Sequence, residues 1–387
     1  MNKRNIPLSV PNLKGNELAY VTKAIETEWV STGGPYVNDF ENKISEYVHS
    51  AGAVACQNGT SGLHTGLLLC GVSSGDEVIV PALTFIAAVN PVKYIGAEPV
   101  FMDCDDSLCM DPEKLDEFCS NECTQINGVL TNKKTNRQIK AVVVVHVFGN
   151  MADMEKIMTV AGKYGLRVVE DATEALGTYY KDGIYTGKFA GTIGTVGVYS
   201  FNGNKIITTG GGGMIVSNDI SLLKKAKRLT TQAKTDEANF IHDDVGYNYR
   251  MTNLQAALGL AQLEQLEHFI EIKKSNYEIY RSAFCESKDY KILGFRSDIR
   301  SNHWFYSLYC CDSKKRSRDN IINYLRDNHI QTRPIWGLIN EQLPYVNSQS
   351  YKIDKAKMYW MHIVNVPCST NLTEDDAYTV INMIKEV

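Results

Sequence analysis

Three short stretches hold residues whose types can do chemistry together. The apolar run LRVVED (166–171) ends on Asp171. A carboxylate at the end of a buried strand needs a partner, because burying an unpaired charge is costly. That partner is either the start of a following helix, which Asp171 would cap, or a protonated heterocyclic nitrogen. The stretch YSFNGNKIITTGGGGM (199–214) sets Lys205 before four consecutive glycines. A loop lysine is ordinarily solvated, but one whose surroundings favour the free amine forms Schiff bases. The stretch QNGTSG (57–62) puts Thr60 and Ser61 where a helix begins. They either cap that helix or, with its free backbone N–H groups, form a phosphate nest.

A phosphate nest, a strand-terminal acid and a later loop lysine occur in the order that pyridoxal phosphate requires. The cofactor needs an anchor for its phosphate, an acid beside its pyridine nitrogen and a lysine for its aldehyde. The stretches that carry these residues lie within alternating strands and helices. Strands are expected at 53–57, 77–81, 98–103, 139–149, 166–171, 195–201 and 213–218, with helices after the first, second and fourth of them. Near-continuous Val/Ile runs of this kind predict a mainly parallel sheet covered on both faces, which binds ligands at the carboxyl ends of its strands. From residue 252 the pattern changes. TNLQAALGLAQLEQLEHFIEIKKSNYEIYRSAF predicts one long helix or two joined ones, followed by mixed structure (302–335), a loop (344–352) and a last helix from Thr373. The expected fold is α/β: a large domain over 1–255 with a seven-stranded sheet, and a smaller C-terminal α+β domain over 256–387.

Composition excludes several function classes. Apolar residues make up 44% of the 387, and the formal net charge is −4, so bulk charge offers nothing to nucleic acid or to a membrane surface. No apolar run approaches the length of a membrane span, and the N-terminus lacks the apolar core of a secretion signal. The ten cysteines form no CxxC pair and have no histidines at zinc spacing, so the expectation is reduced core thiols in a cytoplasmic protein and no metal. Cys119 and Cys123 are spaced to share a helix face.

These motifs resemble the DegT-type sugar aminotransferases, fold-type I pyridoxal phosphate enzymes that act on nucleotide-linked keto sugars. The resemblance runs through STGGPYVNDFE (31–41), NGTSGLHTGL (58–67), VPALTFIAAVNPV (80–92), VVEDATEALG (168–177), the lysine stretch and VGYNYRMTNLQAALG (245–259). It implies Lys205 as the Schiff-base lysine and proton carrier, with Asp171 at the pyridine nitrogen. Thr60, Ser61 and Ser200 would hold the phosphate, Phe85 would stack on the cofactor and Glu174 would lie beside it. Asn248 would reach the cofactor phosphate of a neighbouring copy, giving a homodimer with shared sites. His303, His329 and Arg333 would face substrate. The glycine run would leave room for cofactor and sugar and would turn the chain into the next strand.

Asn202 and Glu174 stand where the family often has other residues. With them, the resemblance points to amination of a UDP-linked 4-keto-6-deoxy-N-acetylhexosamine, as in bacillosamine pathways, with L-glutamate as donor and ping-pong kinetics. Its alternatives are a GDP-linked perosamine-type or 3-keto substrate, and a non-catalytic regulator on the same fold.

Overall fold

Long apolar runs that are buried on both faces set the central layer. The computed structural model describes residues 5–236, 238–311 and 317–387. Its main sheet contains β1 (Gly52–Cys56), β2 (Glu77–Pro81), β3 (Glu98–Met102), β4 (Ile139–Val145), β5 (Arg167–Asp171), β6 (Val196–Ser200) and β7 (Gly213–Ser217). These are the seven expected strands. Two short strands, β8 (Tyr290–Ile292) and β9 (Tyr306–Cys310), follow, and then β10 (Arg333–Pro334), β11 (Ser350–Tyr351) and β12 (Ile363–Val366). The main sheet runs β1-β7-β6-β5-β4-β2-β3-β11. β7 is antiparallel to both of its neighbours, and every other pairing in the sheet is parallel. The eighth strand, β11, comes from the stretch expected to be a loop, and it adds a C-terminal edge to the large sheet. β8, β9, β12 and β10 form a separate antiparallel sheet.

After α1 (Glu17–Glu26), helices cover the large sheet: α2 (Pro35–Val48) and α3 (Gly59–Leu69), with further helices at Met154–Tyr164 and Ile220–Thr230. The long C-terminal apolar pattern resolves into two helices, α4 (Asn253–Leu263) and α5 (Leu266–Phe284). Thr252 and Gln255 build a capping box at the start of α4. α4 packs on α1 and α2, so a boundary drawn after residue 255 would cut through a helix that belongs with the large sheet.

Three local expectations need correction. The segment expected as one helix after β2 is a short 3₁₀ turn (Ile86–Ala88) and then a fresh helix (Asn90–Tyr94), because Pro91 has no N–H to continue a hydrogen-bonded ladder. Cys119 and Cys123 do not share a helix face. The helix Pro112–Asn121 ends before Cys123, which opens a hairpin of Cys123–Ile126 with Val129–Asn132. The turn residues Asn127 and Gly128 both take positive φ, the geometry that two-residue hairpins favour. Of the ten free cysteines, Cys285 is exposed and Cys311 partly so, while the others are buried. Among the described residues no helix is long and apolar enough to cross a membrane.

Candidate active site

The carboxyl ends of β1, β4, β5 and β6 open onto one cavity of about 360 Å³. Asp171, the last residue of β5, lies at its wall and is 4% exposed. No helix follows it, so it caps none. One of its oxygens accepts the Thr173 N–H at 3.1 Å. Burial raises its pKa above the ordinary carboxylate value, and Thr173, Lys205 and His146 pull the other way. A buried carboxylate with so little compensation suits a cationic partner in the cavity.

The backbone that holds Asp171 is pinned from both sides. The His146 N–H donates to the Asp171 carbonyl at 3.0 Å, and the Ala172 N–H donates to the Val198 carbonyl at 3.0 Å. His146 and Glu170, both fully buried, are 2.9 Å apart through Nε2. Since His146 Nδ1 accepts the Ala152 N–H at 3.2 Å, the ring proton sits on Nε2 and is donated to Glu170. Glu170 also accepts the N–H groups of Gly191 at 2.8 Å, Ile193 at 2.7 Å and Gly194. This network was missed at the sequence level; the acidic pair Glu170-Asp171 closing an apolar run was its visible trace.

Lys205 reaches the same cavity from the loop after β6. Its Nζ lies 3.6 Å from Glu174 Oε1 and 4.2 Å from the centre of the Trp304 ring. The Trp304 ring is fixed by its Nε1–H, which donates to the Asn204 carbonyl at 2.8 Å. Glu174 is 5% exposed, and its other oxygen accepts the Phe148 N–H at 2.9 Å. Burial pushes its pKa up to about 7, against the pull of the Lys205 ammonium.

The start of α3 supplies the anion end. Asn58, not Thr60 or Ser61, caps this helix: its side chain accepts the Ser61 N–H at 2.8 Å and the Ser61 hydroxyl at 3.0 Å. The cap role is therefore filled, and Thr60 lines the cavity beside Gly59 and Ser200. A Cβ at Gly59 would come within 3.0 Å of the Ser200 Cβ, so glycine keeps this corner open. Phe85 also lines the cavity and is 55% exposed, so it is not a core phenylalanine. These donors fit pyridoxal phosphate: backbone amides and hydroxyls for the phosphate, Asp171 for the ring nitrogen, Phe85 for the ring face and Lys205 for the aldehyde.

The structure does not bring every expected residue to this cavity. Asn248 is exposed and off its own chain's cavity, in a bridge to Thr231. His329 is exposed beyond the helix Arg318–Asp327, and its carbonyl accepts the Ile6 N–H. Arg333 is exposed on β10 and donates to the Thr332 carbonyl at 2.9 Å. His303 is buried and lines a different cavity. Its neighbour Trp304 faces Lys205 instead, in the cavity that Phe305 and Trp336 also line. The facing of these aromatic residues was not legible in the sequence.

Of the two uses expected for the glycine run after Lys205, the structure shows the turn into the next strand and not the room beside the cofactor. The run does not line the cavity. Gly210 takes φ +76°, which lets the chain turn into β7. A Cβ on Gly213 would lie 2.6 Å from the Asn58 carbonyl carbon and oxygen. The small residues let β7 press against the loop that caps α3.

A family model described as the DegT/DnrJ/EryC1/StrS aminotransferase family matches residues 11–385. The chain belongs to this family. It is similar to a GDP-perosamine synthase of Escherichia coli O157:H7, at 36% identity over 98% of each chain. It is also similar to a GDP-perosamine synthase of Caulobacter vibrioides, at 34% identity over 99% of this chain and 98% of the relative. Among solved structures, the aminotransferase TlmJ of Streptoalloteichus hindustanus superposes with a TM-score of 0.88 at 26% identity, covering 99% of this chain and 98% of that one. As a DegT-family member the chain is a pyridoxal-phosphate-dependent sugar aminotransferase. The expected fold class, enzyme class and cofactor all stand.

Proposed function

We propose that this aminotransferase moves the amino group of L-glutamate to C4 of GDP-linked 4-keto-6-deoxymannose, the perosamine-forming reaction. The carrying observation is full-length similarity to relatives named GDP-perosamine synthases, in a chain that keeps Lys205 and Asp171 in one cavity. The relatives favour this alternative over the UDP-linked N-acetylhexosamine to which the motifs first pointed. The same reading makes the protein a cytoplasmic homodimer in which Asn248 reaches the partner's cofactor phosphate. An exposed Asn248, with Val245 and Phe240 exposed nearby, supports that part of the reading.

When bound, pyridoxal phosphate supplies an electron sink that carries the amino group between donor and acceptor. The chain's own residues do the rest. Asp171, a buried carboxylate, would keep a proton on the ring nitrogen. Lys205 would bind the aldehyde and, as a free amine, would move a proton at the reacting carbon. Glu174, 3.6 Å from Lys205 and poised near neutrality, accepts or returns that proton as the amine changes charge. Trp304, Phe305, Trp336 and Phe85 wall the cavity with aromatic surface and exclude water. Backbone amides at the start of α3 hold the phosphate against the pull of each turnover.

The test is a side-by-side assay of the purified protein with pyridoxal phosphate, L-glutamate and either GDP- or UDP-linked 4-keto-6-deoxy sugars. The GDP sugar is expected to be preferred by about a hundredfold in kcat/KM. A preference for the UDP sugar restores the first reading. Lys205→Ala should lose the visible cofactor band of the wild type and all turnover; an active variant removes Lys205 from the mechanism.

A further inference from the structure

We infer that a second cavity, which His303 lines rather than Trp304, is a binding site for a nucleoside diphosphate. It measures about 830 Å³ and is bounded by α5, β8 and the 293–303 segment. Its floor is aromatic: the Phe295 and His303 rings are 4.7 Å apart at 68°, and Tyr277 stands 5.0 Å from His303 and 5.1 Å from Phe295. Such a floor offers ring faces and edges to a heterocyclic base.

Around this floor stand six cationic side chains against two carboxylates, in a protein whose net charge is −4. Half of the cations are already paired: Arg281 with Glu278 at 2.8 Å, Arg296 with Asp298 at 2.7 Å, and Arg300 with Glu267. Lys181, Lys274 and Lys291 have no salt bridge among the described residues. Three ammonium groups free to pair, at one concave aromatic site, match the charge of a diphosphate.

His303 adds a hydrogen-bonding group of fixed sense. Its Nδ1–H donates to the Ser301 carbonyl at 3.0 Å, which leaves Nε2 as an acceptor for a base N–H. Burial, with Lys274, Arg300 and Lys273 nearby, holds its pKa down to about 4, so the ring stays neutral near pH 7. His303 also holds φ +52°, a backbone state that non-glycine residues rarely adopt, and the Ser301 hydroxyl pins it by accepting the His303 N–H at 2.9 Å.

This site does not depend on which sugar is aminated, so its test uses both bases. GDP, UDP and inorganic pyrophosphate are titrated calorimetrically into the cofactor-loaded, full-length wild type and a Lys274→Glu/Lys291→Glu variant. Two nucleotides per chain are expected in the wild type and one in the variant, with turnover of the nucleotide-linked sugar, measured without added free GDP or UDP, unchanged. One nucleotide per chain in the wild type, for GDP and UDP alike, overturns the site. So do two in the variant. Pyrophosphate binding this cavity as tightly as the nucleotides would overturn the role given to the aromatic floor.

Discussion

Glu174 has the most informative chemistry of any single residue in the cavity. It is a buried carboxylate beside a lysine, and burial outweighs that attraction enough to raise its pKa to about 7 from an ordinary value of 4.5. A raised folded-state pKa stabilises the fold fully below about 4.5, and that contribution is lost as pH rises through about 7. Thermal melts of the cofactor-free protein should therefore show stability falling across this window. Glu174→Gln should flatten that fall, because a neutral amide loses nothing on the same titration. An unchanged slope in the variant would place the titrating group elsewhere. Residue identity was largely legible here: Lys205, Asp171, Glu174, Thr60, Ser200 and Phe85 all line the cavity. Their motifs are short and local, so the sequence holds them whole.

The join between β7 and the cap of α3 depends on close approach. A Cβ on Gly213 would stand only 2.6 Å from the Asn58 carbonyl, so alanine there forces β7 away from the loop that caps α3. Gly213→Ala should destabilise the protein by about 2 kcal/mol and weaken cofactor retention, measured by denaturant melts and by the cofactor band after gel filtration. A variant with wild-type stability would show that the loop yields freely. The element boundaries that reading by pattern missed have identifiable causes. Pro91 split a helix whose apolar spacing continued past it. The Asn127-Gly128 turn signalled a hairpin, but the strands flanking it are only four residues long, and the first is exposed in all but its opening residue, so its alternation is faint.

At the scale of the whole molecule, the question is whether one chain completes the site. Asn248 is exposed and away from its own cavity, whereas Lys205 lies within it. If Asn248 serves a partner's site, Lys205→Ala and Asn248→Ala chains, each inactive alone, should regain activity when refolded together, up to about a quarter of the wild-type level from random pairing into dimers with one intact site. Failure to recover any activity would confine the site to one chain.

The sequence by itself determined the order of strands and helices, the seven strands of the large sheet and the residues at their carboxyl ends, because each is written in a local run of apolar periodicity or a contiguous motif. Tertiary structure alone decided which neighbours share a cavity. His303 and Trp304 are adjacent in the chain, yet they line different cavities, because a left-handed backbone at 303, pinned by Ser301, turns them apart. The edge strand β11 likewise forms by pairing with β3, nearly 250 residues away, a contact that no local pattern encodes. The cationic groove gathers Lys181 with Lys274 and Lys291 for the same reason: long-range packing sets which charges meet, and local sequence sets only where they can occur.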